Sequence, residues 1–279
     1  MRVIRSPRLM QEETVRLRRA GRSIGFVPTM GALHEGHASL IRTARKENNV
    51  AIVSIFVNPA QFAPSEDLKQ YPRPFAKDVR LCRKHGVDLV FAPQPSSIYP
   101  RDFKTAVSVK DLSAVLCGKS RPGHFTGVAT VVAKLFNIIQ PDRAYFGQKD
   151  AQQAIIIRRM AEDLNFPVKV RVLPTVRQAD GLALSSRNAY LNARQRAQCP
   201  VLYQSLRLAK ALIKKGVRDA ATIINAVTAL IRTAKDARID YAVVVDPKDL
   251  TPLTRIKGRC LISLAVRFGK TRLIDNIVV

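Results

Sequence analysis

The sequence predicts an α/β fold, with a doubly wound parallel sheet followed by a smaller C-terminal α+β domain. In roughly the first 173 residues, short apolar runs alternate with segments of helical periodicity, which is typical of parallel strands joined by crossover helices. After that point helical segments come first and strand-like segments follow. Pro174 and Gly181 mark the change, so we predict domains at residues 1–175 and 176–279.

Hydrophobic periodicity assigns the elements in chain order. In the first domain we predict strands at residues 24–28, 50–57, 87–91, 105–109, 144–146 and 168–173. Helices are predicted there at residues 38–47, 75–85, 123–139 and 151–163. In the second domain we predict helices at residues 193–215, interrupted at Pro200, and 220–235, and then strands at residues 241–245, 260–267 and 272–278.

Composition narrows the class of protein. The 279 residues are 47% hydrophobic, which is enough for one large domain or two smaller ones. No apolar run reaches the length of about 18 residues that a membrane-spanning helix needs. The arginine-rich first 22 residues lack the apolar core of a secretory signal, and an amphipathic surface helix is favoured there over a transit peptide. Four scattered cysteines without a Cys-x-x-Cys pair are typical of a reducing compartment.

The net charge of +26 leaves three interpretations open. The protein handles anionic substrates such as nucleotides, or it contacts nucleic acid, or the charge is a general surface bias without a specific partner. The positive charge is spread over the whole chain, and the sequence contains no Trp. No alternation of aromatic and basic residues marks a platform for stacking bases. Surface bias and anionic substrates are therefore favoured.

The segment GFVPTMGALHEGHAS, residues 25–39, is the most informative motif. It predicts a strand, a tight glycine turn and a helix start that carries His34 and His37. The N-terminus of a helix favours phosphate, and imidazoles there can stabilise charge that develops on a phosphoryl group. Solvent-facing helix caps are the alternative. The histidines are three residues apart, which excludes the His-Glu-x-x-His zinc motif, and His85 and His124 have no ligand spacing to them.

Two further motifs offer groups that recognise small acids. Asn58 and Gln61, in NPAQF, follow a predicted strand, where amides can bind a carboxylate or hydroxyl; a simple Asn-Pro turn is the alternative. Arg121, in RPGHF, precedes a long predicted helix and is suited to clamp a carboxylate or phosphate. An exposed arginine on an ordinary loop is the alternative there.

Phosphate contacts are also predicted at two later points. In FGQKD, Gly147 lets the backbone approach a ligand, Lys149 is suited to phosphate, and Asp150 caps a helix or holds a ribose hydroxyl or magnesium. In LSSRN, residues 184–188, two hydroxyls and an arginine are suited to grip a triphosphate, although a polar linker explains them as well. The sequence GKT at 269–271 is not a Walker A loop, because Leu264 stands where that motif requires glycine.

Together these motifs favour an enzyme that activates a carboxylate with ATP. On these residues the sequence closely resembles the pantoate–beta-alanine ligase (pantothenate synthetase) family, over nearly the whole chain and in the family's order. The resemblance rests on PTMGALHEGH (28–37), NPAQF (58–62), CGKSRPGHFTGVATVVAKLFN (117–137), AYFGQKDAQQ (144–153), LALSSRNAYL (182–191) and TRLIDN (271–276).

The resemblance implies a Rossmann-like domain that binds ATP and pantoate, and a C-terminal domain that acts as a lid. It places the chain in the nucleotidylyltransferase superfamily, where HxGH and SSRN are counterparts of the signature motifs of class I aminoacyl-tRNA synthetases. The implied reaction has two steps. The carboxylate of pantoate attacks the α-phosphorus of ATP to give pantoyl adenylate and pyrophosphate, and the amine of beta-alanine then releases AMP and pantothenate.

The resemblance also implies roles for single residues. His37, His34 and Lys149 are the expected catalytic residues, with His37 as proton donor. Magnesium is expected to accompany ATP, and no residue is expected to be a dedicated metal ligand. The expected ATP-binding residues are Met30, Gly31, Ala32, Leu33, His34, Glu35, Gly36, His37, Gly147, Gln148, Lys149, Asp150, Val176, Leu184, Ser185, Ser186 and Arg187.

The two acids have their own expected contacts. Met30, Gln61 and Gln153 would hold pantoate, and Gln61 and Arg121 would hold beta-alanine. Asn58 would help to position the substrates and the magnesium–phosphate group. Pro28 and Thr29 would shape the floor of the same site.

The resemblance further implies a cytoplasmic homodimer. A membrane partner is not expected, and the intact catalytic motifs argue against a nucleic-acid partner. Leu184 departs from the family, which commonly has Met there; the swap nearly conserves volume, so we expect it to be tolerated. The charge is higher than expected for the family. Two other hypotheses stay open: an adenylating enzyme of the same fold that uses a different acid, and a nucleic-acid-binding protein that has reused the fold.

Overall fold

The chain divides into two compact units. A computed structural model describes residues 1–64 and 66–279. The first unit comprises Met1–Gly147 and Ile156–Leu173, and the second comprises Gln148–Ile155 and Pro174–Val279. The division after Leu173 lies beside the domain boundary that the sequence predicts. Residues 148–155, which the prediction places in the first domain, are grouped with the second unit.

The first unit is built on a six-stranded sheet in the order β1-β4-β3-β2-β5-β6, and all of its strand pairs are parallel. The order reverses at β2, so the carboxyl end of β2 lies at the switch point, where sheets of this kind bind ligands. The predicted doubly wound sheet is therefore confirmed. The strands are β1 (Arg2–Ile4), β2 (Ile24–Thr29), β3 (Val50–Ile55), β4 (Leu89–Phe91), β5 (Arg143–Gly147) and β6 (Lys169–Leu173).

Ten α-helices connect the strands of the two units in the described part of the chain. The last three belong to the second unit, and α7 begins in the second unit and ends in the first. The helices are α1 (Pro7–Arg19), α2 (Glu35–Glu47), α3 (Phe75–Lys84), α4 (Pro95–Ile98), α5 (Cys117–Ser120), α6 (His124–Ile139), α7 (Ala151–Asp163), α8 (Ala193–Gln198), α9 (Val201–Lys214) and α10 (Ala220–Arg232). None of them combines the length and apolarity that crossing a bilayer requires.

The central strands of the first unit are buried on both faces. Phe26, Val27, Ile52 and Val53 are fully buried, which explains why β2 and β3 have continuous apolar sequences rather than alternating ones. Burial of each such side chain stabilises the fold by about 1.5–3 kcal/mol. The rigid centre of the sheet thus supports the loops that follow its strands.

In the first unit, one predicted strand is absent and one observed strand was not predicted. The strand predicted at residues 105–109 is wrong: this stretch is irregular, and the Val107 N–H donates to the Thr130 hydroxyl on α6 (2.9 Å). Its alternating β-branched residues imitate a strand, but the N–H bonds a helix side chain instead. The edge strand β1 was missed, because three residues are too few to show a period.

The second unit packs helices against a small antiparallel sheet, as the sequence predicts. Its strands β7 (Ala237–Val245), β8 (Leu261–Phe268) and β9 (Thr271–Val278) lie in that order. Its core joins α9, α10 and the sheet through side chains such as Leu206 and Ile223. The predicted interruption at Pro200 separates α8 from α9.

Candidate active site

The HxGH loop leaves the carboxyl end of β2 and enters α2. Between them the backbone turns through two left-handed residues, Gly31 (φ 83°) and Ala32 (φ 51°). Glycine adopts this conformation without strain, whereas the Cβ of alanine makes it unfavourable by about 1–2 kcal/mol. The turn therefore needs support from the surrounding structure.

Asp78, on α3, supplies that support. Its Oδ2 accepts a hydrogen bond from the Ala32 N–H (2.9 Å), and its Oδ1 accepts one from the Leu33 N–H (2.8 Å). Asp78 is only 1% exposed, and burial raises the pKa of its carboxyl above the ordinary value. Sequence reasoning missed Asp78, because no local pattern connects it to a loop 46 residues away.

The two histidines cap α2 reciprocally. His34 Nδ1 accepts from the Gly36 N–H (3.1 Å), and His37 Nδ1 accepts from the His34 N–H (3.3 Å). Their ring centroids are 4.2 Å apart. A neutral imidazole that accepts at Nδ1 carries its proton on Nε2, where it can donate. The capping alternative and the catalytic hypothesis are thus compatible, since the caps fix both rings at the N-terminus of a helix.

The NPAQF loop, residues 58–62, follows β3 and brings Gln61 into contact with Met30, so two residues predicted to bind pantoate lie together. Gln61 is 8% exposed, and its Nε2 lies 2.8 Å from the Met30 sulfur in the HxGH loop. Asn58 shapes this loop: it donates to the carbonyl of Gly127 on α6 (3.1 Å) and accepts from the Tyr99 hydroxyl (2.8 Å). Burial raises the pKa of Tyr99 to about 12, so its hydroxyl keeps the proton that it donates.

Arg121 has a carboxylate partner within the first unit. It donates to both oxygens of Glu66 (2.5 and 2.6 Å) and lies 3.0 Å from Nε2 of His124. Because guanidinium only donates, His124 accepts at Nε2, and its Nδ1–H donates to the Gln61 carbonyl (2.8 Å). Burial alone would raise the pKa of Glu66, but the hydrogen bonds and charge of Arg121 hold it below its ordinary value. Glu66 lies outside every motif that the sequence predicts to be functional.

In the second unit, Gln148–Asp150 forms a 3-10 turn that leads into α7. Lys149 Nζ lies 3.5 Å from the Asp150 carboxylate. Gln153 lies one helical turn after Lys149 and is half-buried. The predicted residues of this segment thus occupy one turn and the start of one helix.

The LSSRN loop belongs to a small pairing in the second unit. The Leu184 N–H donates to the Val176 carbonyl (3.0 Å), so two residues that we expect to frame the nucleotide are adjacent. Ser185 Oγ accepts from the Arg187 N–H (3.3 Å) and caps the 3-10 turn Ser186–Tyr190. The loop is therefore folded by its own hydrogen bonds rather than an unstructured linker. Across the described residues, no group of three or more His, Cys, Asp or Glu side chains is arranged to hold a metal ion.

Comparison with known proteins gives a consistent result. A family model described as pantoate-beta-alanine ligase matches residues 2–278. The pantothenate synthetase of Caldicellulosiruptor bescii is 52% identical, over 99% of this chain and 98% of its own length. That of Moorella thermoacetica is 56% identical, over 94% of this chain and 92% of its own.

Solved structures agree with the sequence relatives. A crystal structure of pantothenate synthetase from Thermus thermophilus has a TM-score of 0.95 at 45% identity and covers 99% of both chains. A crystal structure of pantoate-beta-alanine ligase from Francisella tularensis, complexed with beta-gamma ATP and beta-alanine, has a TM-score of 0.81 at 35% identity. It covers 100% of this chain and 97% of that one.

Proposed function

The chain belongs to the pantoate–beta-alanine ligase family, and from this premise we propose that it condenses pantoate with beta-alanine in an ATP-dependent reaction that forms pantothenate. The structural observation that best supports this function is the pair of imidazoles at the N-terminus of α2, at the switch point of the sheet. This place favours anions through the helix dipole and backbone N–H groups.

The proposed reaction has two steps, formation of an acyl adenylate and formation of an amide. A carboxylate oxygen of pantoate attacks the α-phosphorus of ATP, and the bond from that phosphorus to the bridging oxygen breaks, which releases pyrophosphate. The nitrogen of beta-alanine then attacks the acyl carbon of pantoyl adenylate. The acyl–oxygen bond breaks, AMP leaves, and the nitrogen loses a proton as the amide of pantothenate forms.

The first unit contributes the histidines and the amides. His37 and His34 would donate from Nε2 to phosphate oxygens as negative charge shifts during adenylate formation. Met30 and Gln61 are in contact and would hold pantoate. Arg121 would hold the carboxylate of beta-alanine, and Glu66 fixes the orientation of its guanidinium.

The second unit contributes the remaining phosphate contacts. Lys149 would neutralise phosphate charge, and Ser185, Ser186 and Arg187 would bind the triphosphate. Asp150 and the paired residues Val176 and Leu184 would frame the nucleotide. Gly147, the last residue of β5 in the first unit, is the other expected framing residue.

Magnesium would enter with ATP. The donor set of the described residues fits an ion held chiefly by phosphates and water, because Asp150 is a single carboxylate beside Lys149 and no cluster of ligands surrounds it. The ion would neutralise phosphate charge when bound. We also propose that the protein is a cytoplasmic homodimer without a nucleic-acid partner.

The test uses pantoate labelled with ¹⁸O in its carboxylate, incubated with ATP, Mg²⁺ and beta-alanine. The proposed route transfers one labelled oxygen to AMP and forms pantothenate. Label in inorganic phosphate, with ADP as product, would instead indicate an acyl phosphate and refute the adenylate. Absence of pantothenate would redirect the search to other acids and amines.

His37→Ala tests the role of His37 as a proton donor, with the same substrates. Loss of a positioned proton donor typically lowers a rate by about 10²–10⁴-fold. We expect single-turnover pyrophosphate release to slow by this order while ATP affinity changes only modestly. An unchanged single-turnover rate would show that His37 does not act in the chemical step.

A further inference from the structure

The motif TRLIDN, at residues 271–276 on β9, has no role in the reaction proposed above. Its last two residues are unusual, because both are polar and both are buried, although adjacent side chains of a strand point to opposite faces. Asp275 is 2% exposed and Asn276 is 4% exposed. Buried polar groups are stable only when they are hydrogen-bonded, so their partners show what the motif holds in place.

Asn276 holds the turn that carries Lys149. Its Nδ2 donates to the carbonyls of Gln148 and Lys149, both at 2.9 Å. Its Oδ1 accepts from Nε2 of Gln148, also at 2.9 Å. An asparagine amide has two N–H donors, and both are used on consecutive backbone carbonyls. The turn is thereby fixed to β9, and this anchoring explains why residues 148–155 are grouped with the second unit.

Asp275 holds the other nucleotide segment through Arg177. Arg177 donates to both carboxylate oxygens of Asp275 (2.6 and 2.9 Å) and to the carbonyl of Gly181 (3.1 Å). Its guanidinium also lies 3.9 Å from the centre of the Tyr203 ring. The Asn276 N–H donates to Oδ1 of Asp275 (2.8 Å), which joins the two anchoring groups.

We propose that Asn276 is a positioning residue for adenylate formation: it fixes the backbone from which Lys149 reaches the phosphates of ATP, while Asp275 fixes the paired residues 176–184. This inference rests on the proposed function and deepens it. A charged group acts on a transition state only when its position is held, and a displacement of about 1 Å can lower a rate by about 10²-fold. The anchor serves the first step, in which the ATP phosphates react.

The test separates the two half-reactions. The first is pyrophosphate release from ATP, Mg²⁺ and pantoate without beta-alanine. The second is pantothenate formation from chemically prepared pantoyl adenylate and beta-alanine, which needs neither pyrophosphate nor its contacts. Asn276→Asp keeps the shape of the side chain but replaces Nδ2, which donates to both carbonyls, with a carboxylate oxygen that cannot donate. We expect the first half-reaction to slow about 10–10²-fold and the second to change less than about twofold.

Asn225→Asp is the matched control, because it makes the same chemical change at an exposed position on α10 in the same unit. It should leave both half-reactions unchanged. Equal losses in both half-reactions of N276D, or no loss in either, would overturn the inference. If N276D does not fold, Asn276→Ser, which retains one hydroxyl donor, is measured in the same way and judged by the same outcomes. A wild-type protein inactive in both half-reactions would refute the proposed function instead.

Discussion

The HxGH loop of the first unit and the Gln148–Asp150 turn of the second are held by the same device with opposite polarity. In the first unit the Asp78 carboxylate accepts from two consecutive N–H groups, those of Ala32 and Leu33. In the second unit the Asn276 amide donates to two consecutive carbonyls. One buried side chain thus fixes each candidate phosphate-binding segment. The comparison shows that the choice of side chain follows the polarity of the backbone groups that the segment exposes.

The largest expected effect is the loss of Asp78. Asp78→Ala leaves the buried Leu33 N–H and the half-buried Ala32 N–H without their acceptor, and the turn at Gly31 and Ala32 unsupported. Each unsatisfied group destabilises by about 1–3 kcal/mol, so we expect the free energy of unfolding in urea to fall by about 2–6 kcal/mol. Pyrophosphate release should slow as well.

Asp102→Ala removes an exposed carboxylate from the same unit and serves as the control for this variant. Its free energy of unfolding should change by less than about 0.5 kcal/mol. If D78A and D102A were equally stable, the carboxylate would not support the loop, and the parallel with Asn276 would fail.

The two anchors should also differ in their response to pH, because a carboxyl titrates and an amide does not. Burial raises the folded-state pKa of Asp78 above 3.8, so the folded chain binds this proton more tightly than the unfolded chain. The pH-dependent part of its contribution to stability is therefore fully present below pH 3.8 and is lost as pH rises through the folded-state pKa. When unfolding in urea is measured from about pH 3.5 to pH 7, the free energy of unfolding of D78N should rise relative to that of the wild type. The difference in free energy of unfolding between N276S and the wild type should not change with pH. If the difference for D78N did not change with pH either, the titration of Asp78 would not affect stability.

A third anchor, the Glu66–Arg121 pair, should respond to pH in the opposite sense. Arg121 holds the pKa of Glu66 below 4.5, so its contribution is present above pH 4.5 and lost as pH falls through the folded-state pKa. We expect Glu66→Gln to lower the free energy of unfolding at pH 7 by on the order of 1 kcal/mol, and the deficit to disappear in acid.

Glu12→Gln is the matched control for that prediction, since Glu12 pairs with Arg8 on the exposed face of α1. Such an exposed ion pair contributes little to stability, so E12Q should change the free energy of unfolding by an almost undetectable amount. If E12Q and E66Q had the same pH profile, burial would not distinguish the two ion pairs.

The smallest effect is expected at Leu184, whose observed contact with Val176 is made by its backbone N–H. Leu184→Met restores the residue that the family commonly has and nearly conserves volume. Stability should change by less than about 1.5 kcal/mol, and the KM for ATP by less than about twofold. A tenfold change in KM would show that the side chain itself, and not the backbone, contacts the nucleotide.

Local sequence patterns predicted most of the fold. The continuous apolar runs of β2 and β3 predicted a buried parallel sheet, because strands covered on both faces cannot alternate. The bounds of α7, Ala151–Asp163, agree with the prediction. The error at residues 105–109 has the opposite cause: a short alternating pattern does not reveal that Val107 bonds a helix side chain. The roles assigned to the site residues stay predictions.

The sequence by itself determined the longer helices and strands and the place of each candidate segment, because periodicity, caps and turns depend on residues a few positions apart. Only the tertiary structure decided what holds those segments. Asp78 lies 46 positions from Ala32, and Asn276 lies 128 positions from Gln148. A buried polar side chain has no local signature, because its partner is chosen by how the chain folds back. The same side chains face water at Asp102 and Asn225, and it is burial beside backbone polar groups that makes Asp78 and Asn276 anchors.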